Sequence, residues 1–367
     1  MIPQCVPNIN YEDILKRFQG YLTIENNPFL SEYKETVKFE QKIAKALKVK
    51  HAICVNNGTI SLSIGLAALD IKAGDKVAVP AISQIATANA VRFIGAEVIF
   101  IDCDEKTGLM DADDLKQTLF ENDIKAIIYV TFNGRSNTLE KIQTFQKITK
   151  IPILIDAAQS FGSLYANQTI TNKVNRGISS YSLSFSKIIT TGQGGILTTN
   201  NSKLADKIIK LKDFGRSTGG MDFHEHFGIN SKFTDLQAVV GLSQISTIKE
   251  RIKTKKDIYE SYYSNLSFCM QELKEWETPW FIEIRVNKEQ KQDLMQHLTE
   301  AGIQTRDMYM PMPNQKVYNQ NRIYKGAQTF SDNNIWIPSS FSLTKSEIEY
   351  ISNTIKGYYE KHSITDI

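Results

Sequence analysis

Lys187 lies in the run Ser184-Phe185-Ser186-Lys187-Ile188-Ile189-Thr190-Thr191-Gly192-Gln193-Gly194-Gly195. A lysine between a small polar strand end and a Gly-rich turn is poorly explained by solubility alone. It is well explained as a primary amine that bonds an aldehyde cofactor as a Schiff base and later carries a proton. The plainer reading is a surface lysine at a turn, since lysine is seldom buried. Its neighbours decide between the two.

Four other segments carry the matching chemistry. Asn56-Asn57-Gly58-Thr59 follows a strand and opens a helix. Free N–H groups and the positive end of the helix dipole suit a phosphate there, with Gly58 allowing close approach and Thr59 adding a hydroxyl. Taken alone, Thr59 also reads as a plain N-cap. Asp156 ends the apolar run Ile153–Asp156. A carboxylate there is costly unless a cation pairs with it, and a protonated pyridine nitrogen is such a cation. An N-cap for a following helix is the rival reading. Gln159 either donates to a ring hydroxyl or is solvated. Ser182, in Tyr181-Ser182, is either a phosphate ligand or a strand serine bonded to backbone. Asn230, in Gly228-Ile229-Asn230, offers an amide to a phosphate or serves a turn.

Those residues need strands that end together. Residues 50–200 alternate apolar runs with helical patterns. Ala52–Val55, Lys76–Val79, Val98–Asp102, Ala126–Thr131, Ile153–Asp156, Tyr181–Ser184 and Ile196–Thr199 read as strands covered on both faces. Helices are expected near Thr59–Leu69, Ile85–Ile94, Asp111–Phe120 and Leu139–Ile148. The alternation predicts an α/β fold with a mostly parallel, doubly wound sheet, whose ligands gather at the carboxyl ends of the strands. One long helical stretch is expected from Thr234 to Glu260. Trp280–Val286, Gln290–Ala301 and Ser346–Tyr358 read as a smaller C-terminal α+β domain. The expected division is residues 1–250 for the large domain and 251–367 for the small one.

The bulk numbers exclude several classes. A chain of 367 residues with 41% hydrophobic and 23% charged residues is an ordinary globular protein. A net charge of +3 gives no support for nucleic-acid binding or a polybasic membrane role. Cys5, Cys54, Cys103 and Cys269 form no CxxC pair, so reduced thiols are expected. His224 and His226 lack metal spacing, and no metal is expected. The start of the chain has no basic-then-apolar pattern, and no run reaches membrane-spanning length. A cytoplasmic protein is the expectation.

Taken in order, "NNGTISLSIGLAAL", "GDKVAVPAISQIATANAV", "GAEVIFIDCD", "ILIDAAQSFG", "SLSFSKIITTGQGG", "FGINSKFTDLQAVVGLSQI" and "GIQTRDMYMPMP" resemble the DegT/DnrJ/EryC1/StrS family of sugar aminotransferases. The similarity runs from about residue 20 to the C-terminus, and the lysine motif is most similar to the perosamine-synthase-like branch. The resemblance implies fold type I with a seven-stranded central sheet and pyridoxal 5′-phosphate as cofactor. It implies that Lys187 is the Schiff-base lysine and proton shuttle. Asp156 would pair with the pyridinium, and Gln159 would contact the ring oxygen. Gly58, Thr59 and Ser182 would hold the phosphate, and Asn230 would reach the phosphate of the other subunit of a homodimer. L-glutamate would supply nitrogen to a keto-sugar, usually a nucleotide-linked keto-deoxy sugar for surface polysaccharide or lipopolysaccharide. A dehydratase relative carries histidine where this chain has Lys187, which favours amino transfer.

The chain also departs from the family pattern. Gln84 stands where an aromatic residue usually covers the cofactor ring, and it joins the cofactor-binding candidates. Thr131-Phe132-Asn133-Gly134 replaces "HLYG" and is followed by Arg135. Arg135 is either a bidentate carboxylate ligand or a surface loop arginine. Arg135 and Tyr309 are the substrate-binding candidates. An acidic keto-sugar such as 8-oxo-3-deoxy-octulosonate, giving 8-amino-Kdo, is the alternative substrate that Arg135 and the altered substrate-facing positions suggest. A non-catalytic, cofactor-binding regulator is the alternative of another class.

Overall fold

The computed structural model of the protein describes residues 1–23, 30–165, 168–169, 177–218 and 221–362. Seven strands form its central sheet: β1 (His51–Val55), β2 (Lys76–Pro80), β3 (Glu97–Ile101), β4 (Ile124–Val130), β5 (Ile153–Asp156), β8 (Ile178–Ser182) and β9 (Gly195–Thr199). A small hairpin, β6 (Leu164–Tyr165) with β7 (Gln168–Thr169), lies between β5 and β8 in the chain. The sheet order is β1-β9-β8-β5-β4-β2-β3. Neighbours from β8 to β3 run parallel. Only β9 runs against both of its neighbours. This is the mostly parallel seven-stranded sheet that the Ile- and Val-rich runs predict.

The strands are buried and mostly apolar because helices cover both faces, with buried Ser and Thr residues in β8 and β9. In β4, Ala126 to Tyr129 are fully buried, and β5 is buried along its whole length. The covering helices are α1 (Tyr11–Leu22), α2 (Lys34–Leu47), α3 (Gly58–Ala68), α4 (Ala86–Phe93), α5 (Ala112–Glu121), α6 (Leu139–Thr149) and α7 (Ser202–Lys212). Their bounds fall within two residues of the expected spans wherever a helix was expected. α3 is buried on nearly every side, which explains its lack of polar–apolar periodicity.

Two expectations change. The strand expected at Tyr181–Ser184 is Ile178–Ser182, so Ser184 already belongs to the turn that carries Lys187. The single long helix expected from Thr234 to Glu260 is two, α8 (Asp235–Ile245) and α9 (Ile248–Leu266). Thr234 and Gln237 close a capping box at the start of α8.

A second sheet, in the order β10 (Ile282–Arg285), β12 (Asn334–Ile337), β11 (Arg306–Asp307), is antiparallel. With α10 (Lys291–Glu300) and α12 (Lys345–Lys361) it encloses a separate core that includes Tyr262, Ile284, Leu294, Ile335 and Ile351. A further helix, α11 (Lys325–Asp332), sends Phe330 to the first core. The chain start also joins the C-terminal unit. Ile2 bridges to Ile303, and the Ser339 N–H donates to the Gln4 carbonyl at 2.8 Å.

Candidate active site

The carboxyl ends of β1, β5 and β8 open into a cleft of about 830 Å³. Gly58, Thr59, Gln84, Asp156, Gln159, Ser182, Lys187 and Tyr309 all line it. Residues scattered over 250 positions thus meet in one place.

The phosphate-sized end is built by α3. Asn57, not Thr59, is the N-cap, and its side chain accepts from the Ile60 N–H at 2.9 Å. The N–H groups of Gly58 and Thr59 therefore stand at the helix start with no partner inside the helix. A Cβ on Gly58 would come within 3.1 Å of the Ser182 Cβ, so glycine is needed to bring this turn against β8. That approach places the Ser182 hydroxyl beside the helix start.

Asp156 ends β5 at 5% exposure. Residues 157–163, directly after it, form no helix, which removes the N-cap reading. Its carboxylate accepts from the Thr87 hydroxyl at 2.7 Å and from the Ala158 N–H at 3.1 Å. Among the described residues no ion pair holds it. Burial raises its pKa against the opposing pull of those donors and of Lys187. A buried carboxylate facing a cleft without a paired cation is suited to a ligand that brings one. Gln159 points its carbonyl oxygen at the Asn133 N–H, 2.7 Å away, which leaves its NH₂ as the remaining donor.

Lys187 sits in the turn between β8 and β9, and its N–H donates to the Ser184 carbonyl at 3.0 Å. Its amine lies 3.4 Å from the centroid of the Trp280 ring. Burial pulls its pKa from 10.5 down to about 7, with Asp156 opposing and Arg306 reinforcing the shift. Tyr309 packs edge-on against Phe132 and Trp336, and burial lifts its hydroxyl to about 12. Gln84 turns its side-chain oxygen back to the Ala86 N–H at 2.6 Å and is otherwise exposed.

Two candidates lie elsewhere. Arg135 does not line the cleft. It is 2% exposed, pairs with Glu283 of β10 and donates to the Thr107 carbonyl at 3.0 Å. It is neither a surface loop arginine nor a free carboxylate ligand, because β10 has supplied its counter-charge. Asn230 is exposed and outside its own chain's cleft, bridging to Asp213.

Among the cleft residues that were not sequence candidates, Thr87, Trp280 and Arg306 bear on the chemistry. Thr87 is one threonine within an expected helix. The two others come from the C-terminal unit, and nothing in their local pattern marks them.

The sequence matches the DegT/DnrJ/EryC1/StrS aminotransferase family over residues 12–356. The chain belongs to that family. It is 32% identical to the GDP-perosamine synthase of Escherichia coli O157:H7 over 328 residues, 88% of this chain and 89% of that one. It is 28% identical to the UDP-4-amino-4,6-dideoxy-N-acetyl-beta-L-altrosamine transaminase of Campylobacter jejuni (strain 81-176) over 379 residues, 98% of each. Its fold superposes on Helicobacter pylori PseC, an aminotransferase involved in the biosynthesis of pseudoaminic acid, with a TM-score of 0.88. That match covers 98% of this chain and 99% of that one at 23% identity. Both the family and the fold thus agree with the resemblance carried by the motifs.

The protein is an aminotransferase, and pyridoxal 5′-phosphate is its cofactor. The cleft fits that group. It offers a helix start for the phosphate, a buried carboxylate for the ring nitrogen, an amide donor for the ring oxygen and an amine of lowered pKa for the aldehyde. Because only the neutral amine attacks, cofactor uptake by the cofactor-free protein is expected to quicken with pH through about 7 and then level off. An unperturbed lysine would keep quickening toward 10.5. The growth rate of the visible band at a series of pH values distinguishes the two profiles.

Among the described residues, no group of three or more His, Cys, Asp or Glu could hold a metal ion, and no helix is long and apolar enough to cross a membrane.

Proposed function

We propose that the protein moves the amino group of L-glutamate onto a nucleotide-linked keto-deoxy sugar destined for surface polysaccharide. The observation that carries the reading is Lys187 and Asp156 facing one cleft beside the α3 start. The similarity to the perosamine synthase and the altrosamine transaminase supports a nucleotide-linked sugar. When bound, pyridoxal 5′-phosphate supplies an aldehyde for exchange of amines and a ring that accepts the electron pair left by Cα deprotonation.

The chain's own residues supply the other functions. Lys187, neutral for part of the time near pH 7, takes the proton from the donor's Cα and returns it on the other side of the exchange. Asp156, steadied by Thr87, keeps the ring nitrogen protonated. Gln159 orients the ring through its free NH₂. Gly58, Thr59 and Ser182 hold the phosphate, and Trp280 shields the amine from water.

The working unit proposed is a homodimer in which Asn230 reaches the partner's phosphate. Its support is an apolar surface beside Asn230. A cavity of about 620 Å³ there is lined by Ile64, Phe93, Phe227 and Ile229, with Phe227 98% exposed. The cytoplasm is the compartment proposed, in keeping with four free cysteines.

The acidic keto-sugar reading was motivated by Arg135 and by the altered substrate-facing positions, and it loses the first support because Glu283 pairs with Arg135. A non-catalytic regulator would keep the same amine and carboxylate to hold the cofactor, and the membership of an aminotransferase family favours turnover over it. The test is a two-stage reaction. L-glutamate should bleach the visible band of the loaded protein, and a nucleotide-linked 4-keto-6-deoxy sugar should restore it. A band that ignores every amino donor would favour the regulator. Restoration by a keto-octulosonic acid alone would overturn the proposed sugar.

A further inference from the structure

Arg306 is a cation in the cleft with no acidic partner among the described residues. It lies on β11, exposed, and lines the same cleft as Lys187. Its guanidinium stands 5.6 Å from the Tyr309 ring centroid and 5.2 Å from that of Trp336. Trp336 in turn packs edge-on against Trp280, centroids 6.1 Å apart, and Trp280 is the ring beneath the Lys187 amine. One step of aromatic packing therefore separates the two cations. The nearest acid in sequence, Asp307, is taken by Lys291. Among the described residues Arg306 has no ion pair or hydrogen bond.

We propose that Arg306 anchors the carboxylate of the amino donor. This rests on the reading of the protein as an aminotransferase that uses an amino acid. A guanidinium matches a carboxylate in a two-bond fork, and a lysine would not. The donor's α-carboxylate is attached to the carbon whose proton Lys187 moves, so its anchor must stand near the amine. The diphosphate of a nucleotide-linked sugar lies several bonds from the reacting carbon and calls for a more distant cation. Bound carboxylate also cancels a charge that holds the Lys187 amine toward its neutral form. Donor arrival thus changes the proton affinity of the group that must next accept the donor's proton.

The experiment has two readouts on the cofactor-loaded protein. In the first, bleaching by L-glutamate is followed without any sugar. Arg306→Gln is expected to raise the half-saturating glutamate concentration about 10- to 100-fold, with the limiting rate far less affected. Arg306→Lys should recover part of the affinity. Half-saturation by the keto-sugar, read from the aminated cofactor form, should stay unchanged. If the sugar's half-saturation rises and glutamate's does not, the anion belongs to the sugar and the proposal fails. If neither moves, Arg306 is no anchor.

The second readout does not depend on turnover. The pH midpoint of the visible band is measured with and without succinate, an unreactive dicarboxylate. Arg306→Gln should raise the midpoint, because removing a nearby cation favours the protonated form. Succinate should raise it in the unmodified protein and leave it fixed in Arg306→Gln. An equal response in both proteins overturns the proposal. A protein that ignores glutamate yet shows the succinate response in its unmodified form alone would sink the glutamate reading while leaving the carboxylate anchor standing.

Discussion

Lys187→Ala is expected to slow amino transfer from L-glutamate by about 10³- to 10⁴-fold, the usual effect of losing a positioned proton carrier. In the proposed mechanism the amine has two tasks, holding the aldehyde and moving the proton, and alanine can do neither. Nothing else in the cleft replaces it. Tyr309 has its hydroxyl lifted to about 12, too weak an acid to exchange protons readily near pH 7. The cleft itself should survive the substitution. Trp280 is fixed by its own hydrogen bond to the Ser186 carbonyl at 2.9 Å. Burial holds the Lys187 pKa near 7 instead of 10.5, so an amine fully charged in the unfolded chain gives up part of its proton on folding at neutral pH, which costs stability. Removing the side chain ends that cost. The thermal midpoint of the cofactor-free variant is therefore expected to match or exceed that of the unmodified protein. A small added amine such as methylamine should restore part of the proton transfer. A variant within tenfold of full activity, or one that loses activity by unfolding, would remove Lys187 from its proposed role.

The parts of this site that were legible in the sequence are those set by local pattern. The parallel strands β2 to β5 are mostly apolar runs, and the ends of β5 and of the serine-rich β8 fix where Asp156 and Ser182 emerge. Lys187 was legible because its run lies between two strands and carries the glycines of a turn. What stayed hidden depends on pairing across the chain. Arg135 looked available because its partner, Glu283, is 148 residues away. Thr59 looked like the cap of α3, yet Asn57 caps it from two residues earlier. The break between α8 and α9 has neither proline nor glycine to announce it, only Ser246-Thr247. Trp280 and Arg306 reach the cleft because the C-terminal unit packs against the sheet, and no local pattern encodes that contact. Most candidates read as cofactor ligands line the cleft, whereas of the two substrate candidates only Tyr309 does. The former sit at strand ends, while Tyr309 is brought in by packing.

Arg135→Met is expected to destabilise the protein by about 3–5 kcal/mol, because it strands a buried carboxylate. Glu283 is 5% exposed and lies in the middle of β10. Without Arg135 its remaining contact is the Asn133 side-chain amide at 3.1 Å, which cannot balance a charge. The turn that holds the pair is itself demanding. Asn133 has φ 50 and Gly134 has φ 90, and a Cβ on Gly134 would lie 2.0 Å from the Thr278 carbonyl oxygen. The Asn133 side chain ties this turn to Phe281 through two 2.8 Å bonds, and its backbone N–H fixes Gln159 in the cleft. The pair thus clamps the turn that orients Gln159 against the C-terminal unit. Urea unfolding should show a lower midpoint for Arg135→Met. Arg135→Met combined with Glu283→Leu should regain much of the loss, since two apolar side chains leave no orphan charge. A folded single variant should also bind the cofactor more weakly, through a loosened Gln159. If Arg135 instead served a substrate carboxylate, Arg135→Met would leave the urea midpoint in place and raise only the half-saturating substrate concentration. The second variant separates these outcomes, because adding Glu283→Leu can rescue a broken clamp but cannot rescue a lost substrate contact.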